Sequence, residues 1–74
     1  MDEDFLFQKR SVSLHGHKTS VSIEKAFWIV LEESAHLQNI SLSQLIINID
    51  SSRKGNLASA LRLFALRYSS QRNE

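Results

Sequence analysis

A short run of alternating residues, from Lys18 to Ile23, most constrains how this chain can fold. Polar and apolar side chains alternate along it, which is the period of a β-strand with one buried face. A single strand leaves its backbone N–H and C=O groups unpaired, and a two-stranded ribbon is marginal unless something packs on one face. The strand therefore needs a partner, from upstream in the same chain or from a second chain.

A second alternating run at residues 10–14 supplies the upstream candidate. The three residues between the runs, 15–17, are a glycine between two histidines, and a loop of this length with glycine suits a β-hairpin. We predict strands over about 10–14 and 18–22. Val12 and Leu14 then share the face of Val21, which must point toward a core.

The first predicted helix, over about 23–38, has a broader apolar face than a small core needs. At 100° per residue its apolar stripe covers more than half of the circumference and runs to Leu37, with Trp28 at its edge. Asn39 suits the left-handed position that ends many helices. We interpret the surplus as surface that is buried against a second subunit. The residues predicted at that interface are Val21, Ile23, Phe27, Trp28 and Leu31.

Two further helices are predicted over about 42–53 and 57–69. Ser41 and Gln44 form a capping box, in which each side chain bonds the other residue's backbone N–H. Asn56 is placed to cap the last helix. Both helices carry an apolar stripe, so both are expected to pack on the core.

Composition indicates one small domain that relies on association. With 74 residues and 42% apolar content, a core of this size rarely supplies more than about 3–5 kcal/mol on its own. There is no cysteine for a disulfide or a thiolate metal site. We place the domain at 10–69, between a flexible acidic and apolar arm (1–9) and a frayed tail (70–74). A two-fold homodimer is the commonest soluble assembly.

Basic residues are clustered although the net charge is only +1. Residues 8–23 and 51–73 contain lysine and arginine but no acid, and a dimer doubles both segments. Clustered positive charge attracts phosphate backbones, although most such runs are solvated surface. No apolar run approaches a membrane span and the first residues are acidic, so we expect a cytoplasmic protein without membrane contact.

His15 and His17 flank the turn and come nearest to a metal or catalytic motif. Zinc requires three or four ligands, and we favour exposed turn histidines over a metal site. No nucleophile, base and orienting acid group together, and there is no glycine-rich phosphate loop. We therefore expect neither an enzyme nor a bound cofactor.

The order of strand, helix, turn and helix resembles the ribbon-helix-helix superfamily of the Arc and MetJ repressors. The match runs over 20–46 without a gap, with Asn39 at the usual turn glycine. The chain is also similar to a group of short bacterial members that share Ala-Phe-Trp at 26–28, Gly-Asn-Leu at 55–57 and Ser-Ala-Leu-Arg-Leu-Phe at 59–64. The resemblance implies an α+β, mostly helical homodimer with an intermolecular antiparallel ribbon, here extended by an N-terminal strand and a C-terminal helix.

The resemblance also implies that the dimer binds double-stranded DNA, with its ribbon in the major groove. Outward strand residues then contact base edges, and the free amides at the start of the second helix contact phosphates. The predicted contacts are Lys18, Ser20 and Ser22 at bases, and Arg10, Ser41, Leu42 and Ser43 at phosphates. We predict a small dimeric transcriptional regulator. The alternative is a protein interaction module on the same dimer scaffold, which an exposed apolar patch would favour.

Overall fold

The computed structural model describes residues 3–51 and 55–72 of the chain. These residues form an α+β, mostly helical fold, as the sequence predicts. A hairpin comes first and three helices follow. The elements are a 3₁₀ turn (Glu3–Phe5), the strands β1 (Phe7–Leu14) and β2 (His17–Glu24), and the helices α1 (Lys25–Gln38), α2 (Leu42–Ser51) and α3 (Leu57–Arg72).

The hairpin of β1 and β2 has a tighter turn than predicted. The strands pair antiparallel over all eight residues of each, ending with Leu14 opposite His17. The loop is therefore two residues, His15 (φ 52°) and Gly16 (φ 82°), and not three. Two consecutive positive φ angles define a type I′ turn, whose twist matches that of the paired strands.

β1 begins at Phe7, three residues before the predicted start, so residues 7–9 belong to the sheet and not to the predicted arm. They pair with residues 22–24, and this pairing moves the start of α1 from the predicted position 23 to Lys25. The sequence pattern missed this extension because backbone hydrogen bonds in a ladder do not depend on side-chain polarity. Residues 1–2 of the predicted arm lie outside the described residues.

The other helix ends follow the predicted signals in part. Asn39 ends α1 in the left-handed conformation (φ 60°, ψ 40°), as predicted. The predicted end of α2 at 53 lies outside the described residues. α3 continues to Arg72, past the predicted end at 69, because no glycine or proline follows to end it. Residues 73–74 of the predicted tail are not among the described residues.

Both predicted N-terminal caps are present. The Asn56 side chain accepts a hydrogen bond from the Ser59 amide (2.8 Å), and the Ser41 hydroxyl accepts one from the Gln44 amide (3.0 Å). The second half of the predicted capping box is wrong, because the Gln44 side chain donates to Asn48 (2.9 Å) one turn along the helix. The two caps still begin α2 and α3 at the predicted residues.

The core lies between one face of the hairpin and the helices. α2 packs against β1, α3 packs against β2, and α1 packs against both other helices. The third helix is therefore part of the core and not an appendage. Buried apolar residues of this core include Val12, Leu14, Val21, Ile23, Trp28, Leu31, Ala35, Leu45, Ile46, Ile49, Leu57, Leu61 and Ala65.

Trp28 lies in the middle of this core and not at the edge of the α1 stripe. Its side chain is fully buried, and its Nε1 donates a hydrogen bond to the backbone oxygen of Gln8 on β1 (2.7 Å). Leu37, predicted within the stripe, is 62% exposed. The buried face of α1 is thus rotated toward Trp28, whose indole reaches the backbone of β1 at Gln8.

The broad apolar face of α1 is covered largely within one chain. Of the five residues predicted at a dimer interface, Val21, Ile23, Trp28 and Leu31 are at most 5% exposed, and Phe27 is half-buried. These four side chains have almost no surface left for a partner. The width of the stripe is therefore explained by intrachain packing, and it does not by itself indicate a second subunit.

Candidate nucleic-acid interface

The face of the hairpin that points away from the core is polar and basic. Because side chains alternate along a strand, the buried valines put their neighbours on the opposite face. Every residue of that face in the central part of the hairpin is exposed. We call this set the Lys/Ser face, and it consists of the cross-strand pairs Lys9–Ser22, Ser11–Ser20 and Ser13–Lys18.

The two lysines of the Lys/Ser face lie at its opposite ends. Lys9 is on β1 and Lys18 is on β2, four register positions apart, which corresponds to about 13 Å along the strands. Within the described part of the chain, neither lysine has an ion-pair partner. Both charges are therefore available to an anionic ligand.

Glu24 is the first acidic residue after the Lys/Ser face along β2, and a side chain of α3 forms an ion pair with it. Its Oε1 lies 2.9 Å from Nε of Arg62, whose guanidinium carbon also lies 5.5 Å from the ring centroid of Phe7. A hydrogen bond with its own backbone, and then the bond from Arg62, lower the pKa of the Glu24 carboxyl. The Glu24 carboxylate thus stays ionised and paired with Arg62. It therefore reduces the positive charge of the two lysines only a little.

We expect the Glu24→Gln variant to lose less folding stability than wild type as the pH falls into the acid range. The folded pKa of Glu24 is lowered, so its contribution is fully present above the unfolded pKa and is lost as pH falls through the folded pKa. Thermal unfolding between about pH 2 and 7 should show that wild type loses more stability than the variant. Superimposable profiles for wild type and Glu24→Gln would contradict this prediction.

Arg10, predicted to contact phosphate, lies on the core side of the hairpin. Its Nη1 is 2.8 Å from Glu32 Oε2, its Nε and Nη2 donate to Gln8 Oε1 (3.1 and 2.9 Å), and its guanidinium carbon is 4.9 Å from the Trp28 ring centroid. The guanidinium is therefore engaged within the fold. Lys9 is not among the residues predicted to contact DNA, yet it is the basic residue that β1 presents outward. Alternation from the buried Val12 is the signal that identifies it.

The predicted phosphate-binding amides of Ser41, Leu42 and Ser43 lie at the start of α2. Within the described residues these three N–H groups donate no hydrogen bond, as is usual in the first turn of a helix. α2 meets the hairpin turn at its other end, where Asp50 Oδ2 lies 3.2 Å from His15 Nε2. The structure thus brings together the predicted strand residues Lys18, Ser20 and Ser22, and it leaves the α2 amides as a separate group.

The turn histidines do not converge on a common point. His15 contacts Asp50, whereas His17 begins β2. In residues 3–51 and 55–72 there is no group of three or more potential His, Cys, Asp or Glu metal ligands. Nor does any helix in those ranges combine the length and apolar character needed to cross a membrane.

Comparisons with known proteins agree with this architecture. The sequence matches the model of the ribbon-helix-helix domain family over residues 7–69, a range that includes β1 and most of α3. A similar solved structure is that of an uncharacterized protein from Bordetella pertussis Tohama I, with a TM-score of 0.83 and 35% identity. The alignment covers 96% of this chain and 62% of that one, and a search of curated proteins finds no match. This chain belongs to the ribbon-helix-helix domain family.

Proposed function

We propose that this protein is a small, dimeric, DNA-binding regulator of transcription. Membership of the ribbon-helix-helix family supports the proposal, since these domains generally form dimers and bind DNA. The observation that carries it is the Lys/Ser face, an exposed surface with two lysines that have no ion-pair partner among the described residues, one of them, Lys18, on the strand that forms the ribbon in the proposed dimer. A protein with this function acts where DNA is, so the proposal includes a cytoplasmic location in a bacterial cell.

The dimer that we propose forms through the outer edge of β2. β1 pairs with one edge of β2, and within the described residues no strand pairs with the other. An unpaired edge offers a row of N–H and C=O groups to a second copy of the same strand. Antiparallel pairing about a two-fold axis then joins two Lys/Ser faces into one surface with two lysines from each chain.

The proposal is tested by sedimentation and by fluorescence anisotropy with a short labelled duplex at low salt. We expect a dimer at micromolar concentration, and weaker DNA binding when Lys9 and Lys18 are both changed to alanine. Arg67→Ala is the matched control, since Arg67 is an exposed α3 residue and the change removes the same charge elsewhere. A stable monomer, or a chain that binds no duplex, would refute the proposal.

A protein interaction module is the second candidate, and one observation favours it. Phe5, Leu6 and Phe7 are consecutive large apolar residues that are 76%, 53% and 60% exposed. Contiguous apolar surface of this kind often marks a protein contact. Absence of DNA binding together with retained dimerisation would favour this function over DNA binding.

A further inference from the structure

We infer that the Lys/Ser face binds duplex DNA through its phosphate backbones and does not select a base sequence. This inference rests on the proposed DNA-binding function and specifies how the same surface recognises its ligand. Two observations and one consequence of the proposed dimer support it. The observations are where the arginine and glutamine side chains of the hairpin point and which side chains the hairpin exposes, and the consequence is the width of the four-stranded sheet.

The hairpin's arginine and glutamine, Arg10 and Gln8, are both turned inward. Arginine on guanine and glutamine on adenine form the bidentate contacts that carry most sequence discrimination in the major groove. Here the Gln8 side-chain oxygen accepts two hydrogen bonds from Arg10 (3.1 and 2.9 Å), and Arg10 also donates to Glu32 (2.8 Å). These two side chains therefore bind each other and α1, and the Lys/Ser face lacks both residue types.

The side chains that do point outward suit phosphates better than bases. A serine hydroxyl both donates and accepts, so it discriminates poorly between base edges, yet it donates readily to a phosphate oxygen. A lysine ammonium is a point charge on a flexible stem and lacks the planar geometry of a guanidinium. The Lys/Ser face is built from these two residue types alone.

The outer strand also limits access to the groove. β1 flanks β2 over all eight residues, so the central ribbon of the proposed dimer has an outer strand on each side. Four strands span about 14 Å before side chains are added, whereas the major groove is about 12 Å wide. The sheet is thus too wide to enter the groove, and it lies across the phosphate ridges on either side.

The test combines selection from random duplexes with the salt dependence of binding to two unrelated duplexes, using the full chain. We expect no enriched motif, equal affinity for both duplexes, and a slope of log K against log salt of about −3.6 for four lysine contacts. Lys9→Ala or Lys18→Ala should each reduce the slope by about 1.8, because the dimer carries two copies. Lys→Arg at the same positions should retain the slope, and Arg67→Ala should leave it unchanged.

A double change of the central pair, Ser11→Ala with Ser20→Ala, should leave binding without a preference for any base sequence. Thermal unfolding checks that each variant is folded. An enriched motif that depends on Lys18 would overturn this inference while the proposed DNA-binding function stands. An unchanged salt slope in both lysine variants would place binding on another surface and would also overturn it. No binding to any duplex would refute the proposed function and this inference together.

Discussion

Trp28→Ala is expected to cost about 3–5 kcal/mol and to leave most of the chain unfolded at room temperature. The side chain is fully buried, so its removal leaves a large cavity between β1 and α1. The change also removes the hydrogen bond from Nε1 to the Gln8 carbonyl (2.7 Å) and the ring beneath Arg10 (4.9 Å). Three contacts that join the hairpin to α1 are lost at once.

Urea unfolding followed by far-ultraviolet circular dichroism measures this effect. Trp28→Phe is the matched control, because it keeps most of the apolar bulk and removes only the hydrogen bond from Nε1 to the Gln8 carbonyl, at a cost of about 0.5–1.5 kcal/mol. All variants are compared at one protein concentration, since the apparent stability of a dimer depends on concentration. If the free energy of unfolding of Trp28→Ala lies within about 1 kcal/mol of the wild-type value, Trp28 does not hold the hairpin to α1.

Leu61→Ala is expected to cost about 2–5 kcal/mol, because the side chain is lost from a fully buried position on α3. α3 packs against β2 and both other helices, so a cavity at Leu61 weakens the contact between α3 and the rest of the fold. The ribbon, first helix and second helix alone would leave that side of the core open.

Leu63→Ala is the matched control for this prediction. It makes the same chemical change two positions away on the same helix, at a side chain that is 48% exposed, and should alter stability by about 0.5 kcal/mol or less. The same urea experiment measures both variants. Equal effects of the two changes would mean that α3 is an appendage to the fold and not part of its core.

Local signals in the sequence predicted the starts of α2 and α3, the end of α1 and the central part of each strand, but not the other ends of the elements. Alternation predicted the central part of β2, Ser41 and Asn56 predicted the starts of α2 and α3, and Asn39 predicted the end of α1. Each of these signals acts over a few residues, through side-chain period or a cap that bonds its own backbone. The structure confirms these predictions because the signals do not depend on what each element packs against.

The outward strand residues Lys18, Ser20 and Ser22 could also be predicted, since their position follows from alternation within one strand. Lys9, Ser11 and Ser13 lie on the outward face of β1 by the same alternation, counted from Val12, and the register of β1 against β2 decides which residue of β2 each of them faces. That register depends on a two-residue turn, which the sequence presented as a three-residue loop. A shift of one residue would have exchanged the two faces of the strand.

The roles of Trp28 and Arg10 depend on contacts between elements that no local signal predicts. The helical period places Trp28 at the margin of an apolar stripe, and nothing local shows that its indole is fully buried and bonds the Gln8 carbonyl on β1. Arg10 has the charge of a phosphate contact, but its place is set by Glu32, Gln8 and the Trp28 ring, two of which lie on another element. The order of the elements, the helix caps and the faces of the strands could be predicted from the residues alone, because the interactions that set them are short-range. Packing between elements that are distant in the chain decides which face of α1 is buried. It also decides which lysine and arginine side chains remain available to a ligand.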